Sequence, residues 1–200
     1  MNESPLSKSN QSLEQENKHQ AFVKLFEDTL RKGNASVPVI EYNLPYSKED
    51  FLSFLVAERK VLLHGSYFGD MEIIEPRQAK DDSKISGNKN AVYGVVDPVL
   101  PIFYAIQDKS KIQGVIESGV NENPKTGVRE YKFKMPKTIL DIKPWTKGVV
   151  YIFNSNQFNL EYNDNGEPSG EWTSETPVKP IAKLEVSPSD FRFLEEIEGV

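Results

Sequence analysis

Three short stretches of this 200-residue chain carry residues whose types and spacing could do chemistry. In Leu62-Leu63-His64-Gly65-Ser66 an apolar run leads directly into histidine, glycine and serine. A histidine fixed at a strand edge can donate one ring hydrogen bond, and a neighbouring glycine lets a ligand approach backbone amide and carbonyl groups. The same stretch also reads as a structural histidine beside a turn glycine. In Ala91-Val92-Tyr93-Gly94-Val95, followed by Asp97-Pro98 and a helix carrying Tyr104, two tyrosines are separated by a strand, a turn and about two helical turns. That connection can return the second ring over the first and make a slot for a flat aromatic ligand, although ordinary core and surface tyrosines have the same spacing. In Gly170-Glu171-Trp172-Thr173-Ser174-Glu175, the last carboxylate stands at the mouth of an apolar run that begins at Pro177. There it could orient a sugar hydroxyl and stabilise a developing positive centre, or be an exposed strand-end glutamate.

The elements that must position these residues follow from periodicity. Residues 1 to 15 have almost nothing to bury and are expected to form a disordered tail ahead of one domain over residues 16–200. From Glu16 to Gly33, Phe22, Leu25, Phe26 and Leu30 recur at helical spacing, with Gly33 at the stop. Ser47 followed by Asp50 and then Phe51, Leu52, Phe54 and Leu55 signals a second helix. Beyond Val61 the pattern changes to short apolar runs. They predict strands over Val61 to Leu63, Ala91 to Val95, Ile112 to Glu117, Arg129 to Met135, Gly148 to Phe153 and Val178 to Val186. Asp97 to Gln107 reads as a helix with Pro98 at its start and Pro101 inside its first turn. Asn121 to Gly127 and Asn163 to Gly170 read as turns or excursions, and the polar stretch Gln78 to Asn90 as a loop that could cover a cleft. The fold class expected is α+β, with an N-terminal helical flank on a sheet-rich core.

Composition bounds the function. With 30 acidic against 24 basic residues and a formal charge of -6, an extensive nucleic-acid-binding face is not expected, though a local phosphate pocket is allowed. With Cys 0 and His 2 there is no thiolate nucleophile and little material for zinc, so no metal is expected. Met1 to His19 lacks the apolar core of a secretory signal, and no apolar run approaches the roughly 18 residues of a membrane span. The expectation is a cytoplasmic protein without a membrane partner.

Taken together and in order, the three stretches resemble the ADP-ribosyltransferase superfamily, in the His-Tyr-Glu branch of diphtheria-toxin-like and poly-ADP-ribose-polymerase-like members. The resemblance covers about Leu62 to Val186. It rests on His64-Gly65-Ser66, on Tyr93-Gly94-Val95 with Tyr104 eleven residues on, and on Glu175 ahead of Val178-Lys179-Pro180-Ile181-Ala182. It implies a split, mixed β-core whose cleft binds NAD as cosubstrate. His64 would then bond the adenosine ribose, Gly65 would grip the nicotinamide carboxamide through its backbone, and Ser66 would support the ribose side. Tyr93, with Gly94 beside it, and Tyr104 would sandwich the nicotinamide, and Glu175 would bond the adjacent ribose. Arg77, close after the first stretch, could reach the pyrophosphate with its forked guanidinium or be a solvent-exposed arginine. Two positions depart from the family pattern. Thr173 stands two before Glu175, which disfavours a protein-guanidinium acceptor, and Pro101 replaces a small polar residue that would contact the carboxamide.

The function implied is NAD-dependent mono-ADP-ribosyl transfer to a protein, nucleic-acid or small-molecule acceptor. NAD glycohydrolysis would use nearly the same cleft. An RNA 2'-phosphotransferase-like activity and a noncatalytic NAD or ADP-ribose-binding module are the remaining alternatives. Trp145, Trp172 and Tyr151 are candidate aromatics for an acceptor surface. Oligomeric state is not encoded in any of these features.

Overall fold

The computed structural model describes residues 5–33, 36–78, 89–123, 125–163 and 165–200, with side chains from residue 12 onward. The chain divides into two compact units. The first comprises Met1–His64, Asp70–Pro98 and Tyr151–Leu184, and the second Gly65–Gly69, Val99–Val150 and Glu185–Val200. Most of the expected cover over residues 78–90 lies outside the described residues.

Helix α1 spans Pro5–Arg31. It therefore begins well inside the segment predicted to be a disordered tail. The first turns are polar but rich in Leu, Lys, Gln and Glu, which cost little in a helix and leave no apolar stripe for periodicity to detect. Further on, Phe22, Phe26 and Thr29 are buried. The helix stops as predicted at Gly33, whose N–H donates to the Leu30 carbonyl at 3.1 Å. Helix α2, Lys48–Arg59, starts at an extended Ser47 whose hydroxyl accepts from the Asp50 N–H. Phe22 meets Phe51 and Phe54 at ring separations of 5.3 and 5.6 Å. Beside this apolar seam His19 Nε2 pairs with the Glu58 carboxylate at 2.8 Å and Lys18 with Asp50 at 2.7 Å.

The larger sheet draws most of its residues from the first unit. Its strands are β1 (Val61–Ser66), β2 (Arg77–Gln78), β3 (Asn90–Val95), β6 (Gly148–Asn154), β7 (Asn159–Tyr162), β8 (Pro168–Ser174) and β9 (Ala182–Val186). They lie in the order β7-β8-β3-β1-β6-β9, with β2 paired to β3. β6 is buried along Gly148 to Phe153, as expected for a central strand covered on both faces. β9 begins later than the Val178 predicted, because prolines interrupt the run and leave Val178 as an isolated bridge to Ile74.

In the second unit, helix α3 (Val99–Ala105) buries Ile102 and Phe103, with Pro101 in its first turn where no donor is lost. A hairpin joins β4 (Glu117–Glu122) to β5 (Arg129–Met135), and a short β10 (Glu198–Gly199) runs parallel to β5. Between β5 and β6 a one-turn helix α4 (Lys137–Asp141) was not anticipated. The core here is aromatic: Phe133 lies 4.6 Å from Phe103 and 5.0 Å from Phe191, centre to centre. The protein thus has a mixed α+β fold with a central β-sheet and flanking helices. Among the described residues no helix is long and apolar enough to cross a membrane.

Candidate functional site

Three neighbouring strands carry the three stretches singled out in the sequence. β3 pairs antiparallel with β1 on one side, Leu63 opposite Val95. On the other side it pairs with β8, Val92 opposite Ser174, Tyr93 opposite Thr173 and Gly94 opposite Trp172. His64 and Tyr93 therefore lie on adjacent strands of one sheet, and Glu175, more than a hundred residues from His64, comes one residue after the end of the next strand.

His64 is half-buried and its Nδ1 lies 2.8 Å from the Tyr93 carbonyl oxygen. A carbonyl can only accept, so Nδ1 carries the proton, and the neutral ring keeps the Nε2 lone pair as an acceptor for a ligand hydroxyl. Burial pushes the imidazole below its ordinary value. The Tyr93 hydrogen bond opposes that shift and the nearby Arg77 guanidinium reinforces it. The folded-state value thus lies below the unfolded one, and on acidification the unfolded chain binds the proton first. The stability carried by neutral His64 is whole above about pH 6.5 and is lost as pH falls below it. Urea midpoints measured at pH 7.5 and 5.5 should therefore drop more in wild type than in His64→Gln. An equal drop in the two proteins contradicts this assignment.

Tyr93 is half-buried, and its hydroxyl accepts from the Lys89 N–H at 3.1 Å and donates to the Lys89 carbonyl at 3.2 Å. Burial raises its phenol, the Lys89 backbone bond offsets part of that, and Glu171 and Glu161 add to the rise. Gly94 has a packing reason to be glycine: a Cβ there would come within 3.0 Å of Leu62 Cβ and 3.5 Å of Phe158 Cε1. Arg77 is exposed on β2, opposite Ala91. Glu175 is exposed and follows the last residue of β8. It sits in a bend that Ser174 closes by donating from Oγ to the Thr176 carbonyl at 3.0 Å, and the Val178–Ile74 bridge fixes the chain just beyond.

Gly65, Ser66 and Tyr104 belong to the second unit. A Cβ on Gly65 would fall 1.9 Å from the Pro101 carbonyl oxygen, so the close approach of α3 requires the glycine irrespective of any ligand. Ser66 Oγ accepts from the Phe68 N–H at 3.1 Å. Tyr104 is 41% exposed, its hydroxyl 2.6 Å from Ser118 Oγ and its ring 6.0 Å from the Lys109 ammonium. Of the acceptor-surface aromatics, Tyr151 is excluded. It is fully buried and its hydroxyl accepts from the Met71 N–H at 3.1 Å.

Comparison with family models, curated proteins and solved structures finds no match.

One residue escaped the sequence reading altogether. Glu161, on β7, is only 8% exposed, and both of its carboxylate oxygens lie 2.7 Å from Lys89 Nζ. The Thr173 hydroxyl also donates to it. Burial opposes its ionisation, but the bonds from Lys89 and Thr173 and the lysine charge outweigh that and hold the carboxyl below its ordinary value. Its partner lies 72 residues away, so no local spacing could have exposed it. The weak signal was an acidic residue inside the alternating run Asn159-Leu160-Glu161-Tyr162. Among the described residues no group of three or more His, Asp or Glu could hold a metal ion.

Proposed function

We propose that this protein is an NAD-dependent ADP-ribosyltransferase of the His-Tyr-Glu type. The observation that carries the reading is that His64 and Tyr93 lie on the paired strands β1 and β3, with His64 bonded to the Tyr93 carbonyl, while Glu175 follows directly on β8, the other neighbour of β3. Nothing in the sequence spacing required this proximity.

The residues suit NAD as a substrate. Neutral His64, with Nδ1 occupied, presents Nε2 to a ribose hydroxyl. Arg77 offers a forked cation for phosphate oxygens. Tyr93 supplies a ring whose hydroxyl is already engaged by Lys89 and is therefore fixed before any ligand arrives. In the reaction the bond between the anomeric carbon and the nicotinamide nitrogen breaks, and its electron pair neutralises the leaving pyridinium. The positive charge left on the ribose is stabilised by Glu175 more than the ground state is, and that difference is catalysis. A nucleophile then bonds to the anomeric carbon and gives up its proton, with Glu175 as acceptor where it can reach.

Incubating the purified full chain with NAD, while following nicotinamide release and intact mass, tests this. Nicotinamide release is the expected result. A mass increment of one ADP-ribose would place the acceptor on the protein itself, and release without an increment would point to water or an external acceptor. Absence of both NAD binding and release overturns the reading, and binding without release moves the protein to a sensing module.

A further inference from the structure

Around Tyr93 the first unit contains a polar cluster that the proposed chemistry does not use directly. The Lys89 ammonium is gripped by both oxygens of the nearly buried Glu161. Glu161 also accepts from Thr173, two residues before Glu175, and its own carbonyl accepts from Ser169 Oγ at 3.0 Å. Through its backbone N–H and carbonyl, Lys89 clasps the Tyr93 hydroxyl. Glu161 thus ties β8, which ends one residue before Glu175, through Lys89 to the ring of Tyr93. Glu175 is close enough to Lys89 to add to the rise in the lysine's proton affinity, behind the larger contribution of the Glu161 hydrogen bond.

Resting on the reading of Glu175 as the carboxylate that stabilises the ribosyl cation, we propose that Glu161 is a positioning residue for that reaction. It keeps the Lys89 ammonium committed to its own carboxylate rather than to Glu175, and through Lys89 and Thr173 it fixes Tyr93 and the end of β8.

The alternative partner for a released ammonium is Glu175. In Glu161→Gln the amide keeps the size and one acceptor, but the charge that paired Lys89 is gone. An ammonium that turned to Glu175 would offset the field the reaction needs. A purely structural Glu161 makes a different forecast, because removing Lys89 as well could not then restore activity.

The test compares wild type, Glu161→Gln and Glu161→Gln/Lys89→Met for nicotinamide release from NAD, with kcat and KM separated, alongside the thermal midpoint and the 15Nζ signal of Lys89. The kcat of Glu161→Gln should fall roughly tenfold with KM little changed, an effect of the size expected for one charge at close range in a partly solvated site. In the double variant most of the kcat should return while the thermal midpoint stays low, which separates electrostatic interference from loss of structure. The Lys89 signal should be protected in wild type and lost in Glu161→Gln. A double variant as slow as Glu161→Gln, or a Glu161→Gln protein with wild-type kcat, overturns the proposal. Wild type that releases no nicotinamide defeats the functional reading and the catalytic part of this one together. The Lys89 signal then decides the clasp alone, and free exchange in wild type defeats that too.

Discussion

Glu175→Gln is expected to slow nicotinamide release by about 10²–10³-fold while changing NAD affinity only a few fold, the range seen when one preorganised electrostatic partner of a transition state is removed. The amide is isosteric, so the bend closed by Ser174 and Thr176 and the bridge at Val178 should survive. Magnitudes constrain how such an effect can arise. A unit charge 4 Å from another is worth about 1 kcal/mol in bulk water and about 4 kcal/mol in a partly screened protein site. The loss expected corresponds to about 3–4 kcal/mol, and Glu175 is solvent-exposed in the free protein. Bound NAD must therefore exclude water from the carboxylate itself, so the full effect should appear in kcat rather than in binding. Single-turnover release at saturating NAD, with binding followed separately by calorimetry, measures both quantities. Wild-type kcat in Glu175→Gln would remove this residue from the chemistry, and loss of binding together with rate would make it a binding group only.

How far this arrangement could be read from sequence depended on whether apolar burial or chain pairing set each element. β5 was legible to the residue because Tyr131, Phe133 and Met135 alternate toward an aromatic core. β1, β3 and β6 were legible as short apolar runs. β8 was hidden, since Pro168, Ser169, Gly170 and Glu171 carry no apolar alternation, and its place is fixed by the ladder to β3. This omission mattered most, because β8 pairs with the strand of Tyr93 and leads directly into Glu175. The strand expected over Ile112 to Glu117 lies instead at Glu117–Glu122. There the hairpin turn prevailed over hydrophobicity: Asn123 Oδ1 accepts from Lys125 N–H, Gly127 takes φ +68, and Glu122 is brought opposite Arg129. Of the candidate residues, His64 was visible because it ends an apolar run, Tyr93 because it lies inside one, and Glu175 because it stands just ahead of another. Glu161 was not, because its meaning lies wholly in a distant lysine.

Gly65→Ala should be the most destabilising single methyl addition in the second unit's part of the candidate motif. The new Cβ would sit 1.9 Å from the Pro101 carbonyl oxygen, 2.7 Å from its carbon and 2.9 Å from its Cα, all backbone atoms that no rotamer change can move. Relief requires a shift of more than an ångström, in β1 or in the first turn of α3. The helix buries Ile102 and Phe103 directly beyond that turn, so moving it disturbs a close-packed aromatic core. Overpacking by one methylene in an adaptable core costs about 1–3 kcal/mol, and a backbone collision belongs at or above the upper end. At roughly 2–4 °C per kcal/mol for a chain of this size, the thermal midpoint should fall by about ten degrees. Gly119→Ala is the matched control, since it lies in the same unit, on β4, and a Cβ there has nothing within 4 Å. Its midpoint should stay within about two degrees of wild type, as expected for an uncrowded surface position. Differential scanning calorimetry of the three proteins decides the matter. Equal midpoints for Gly65→Ala and Gly119→Ala would mean that α3 does not hold its first turn against β1, and the reason for glycine after His64 would then have to be sought in the ligand.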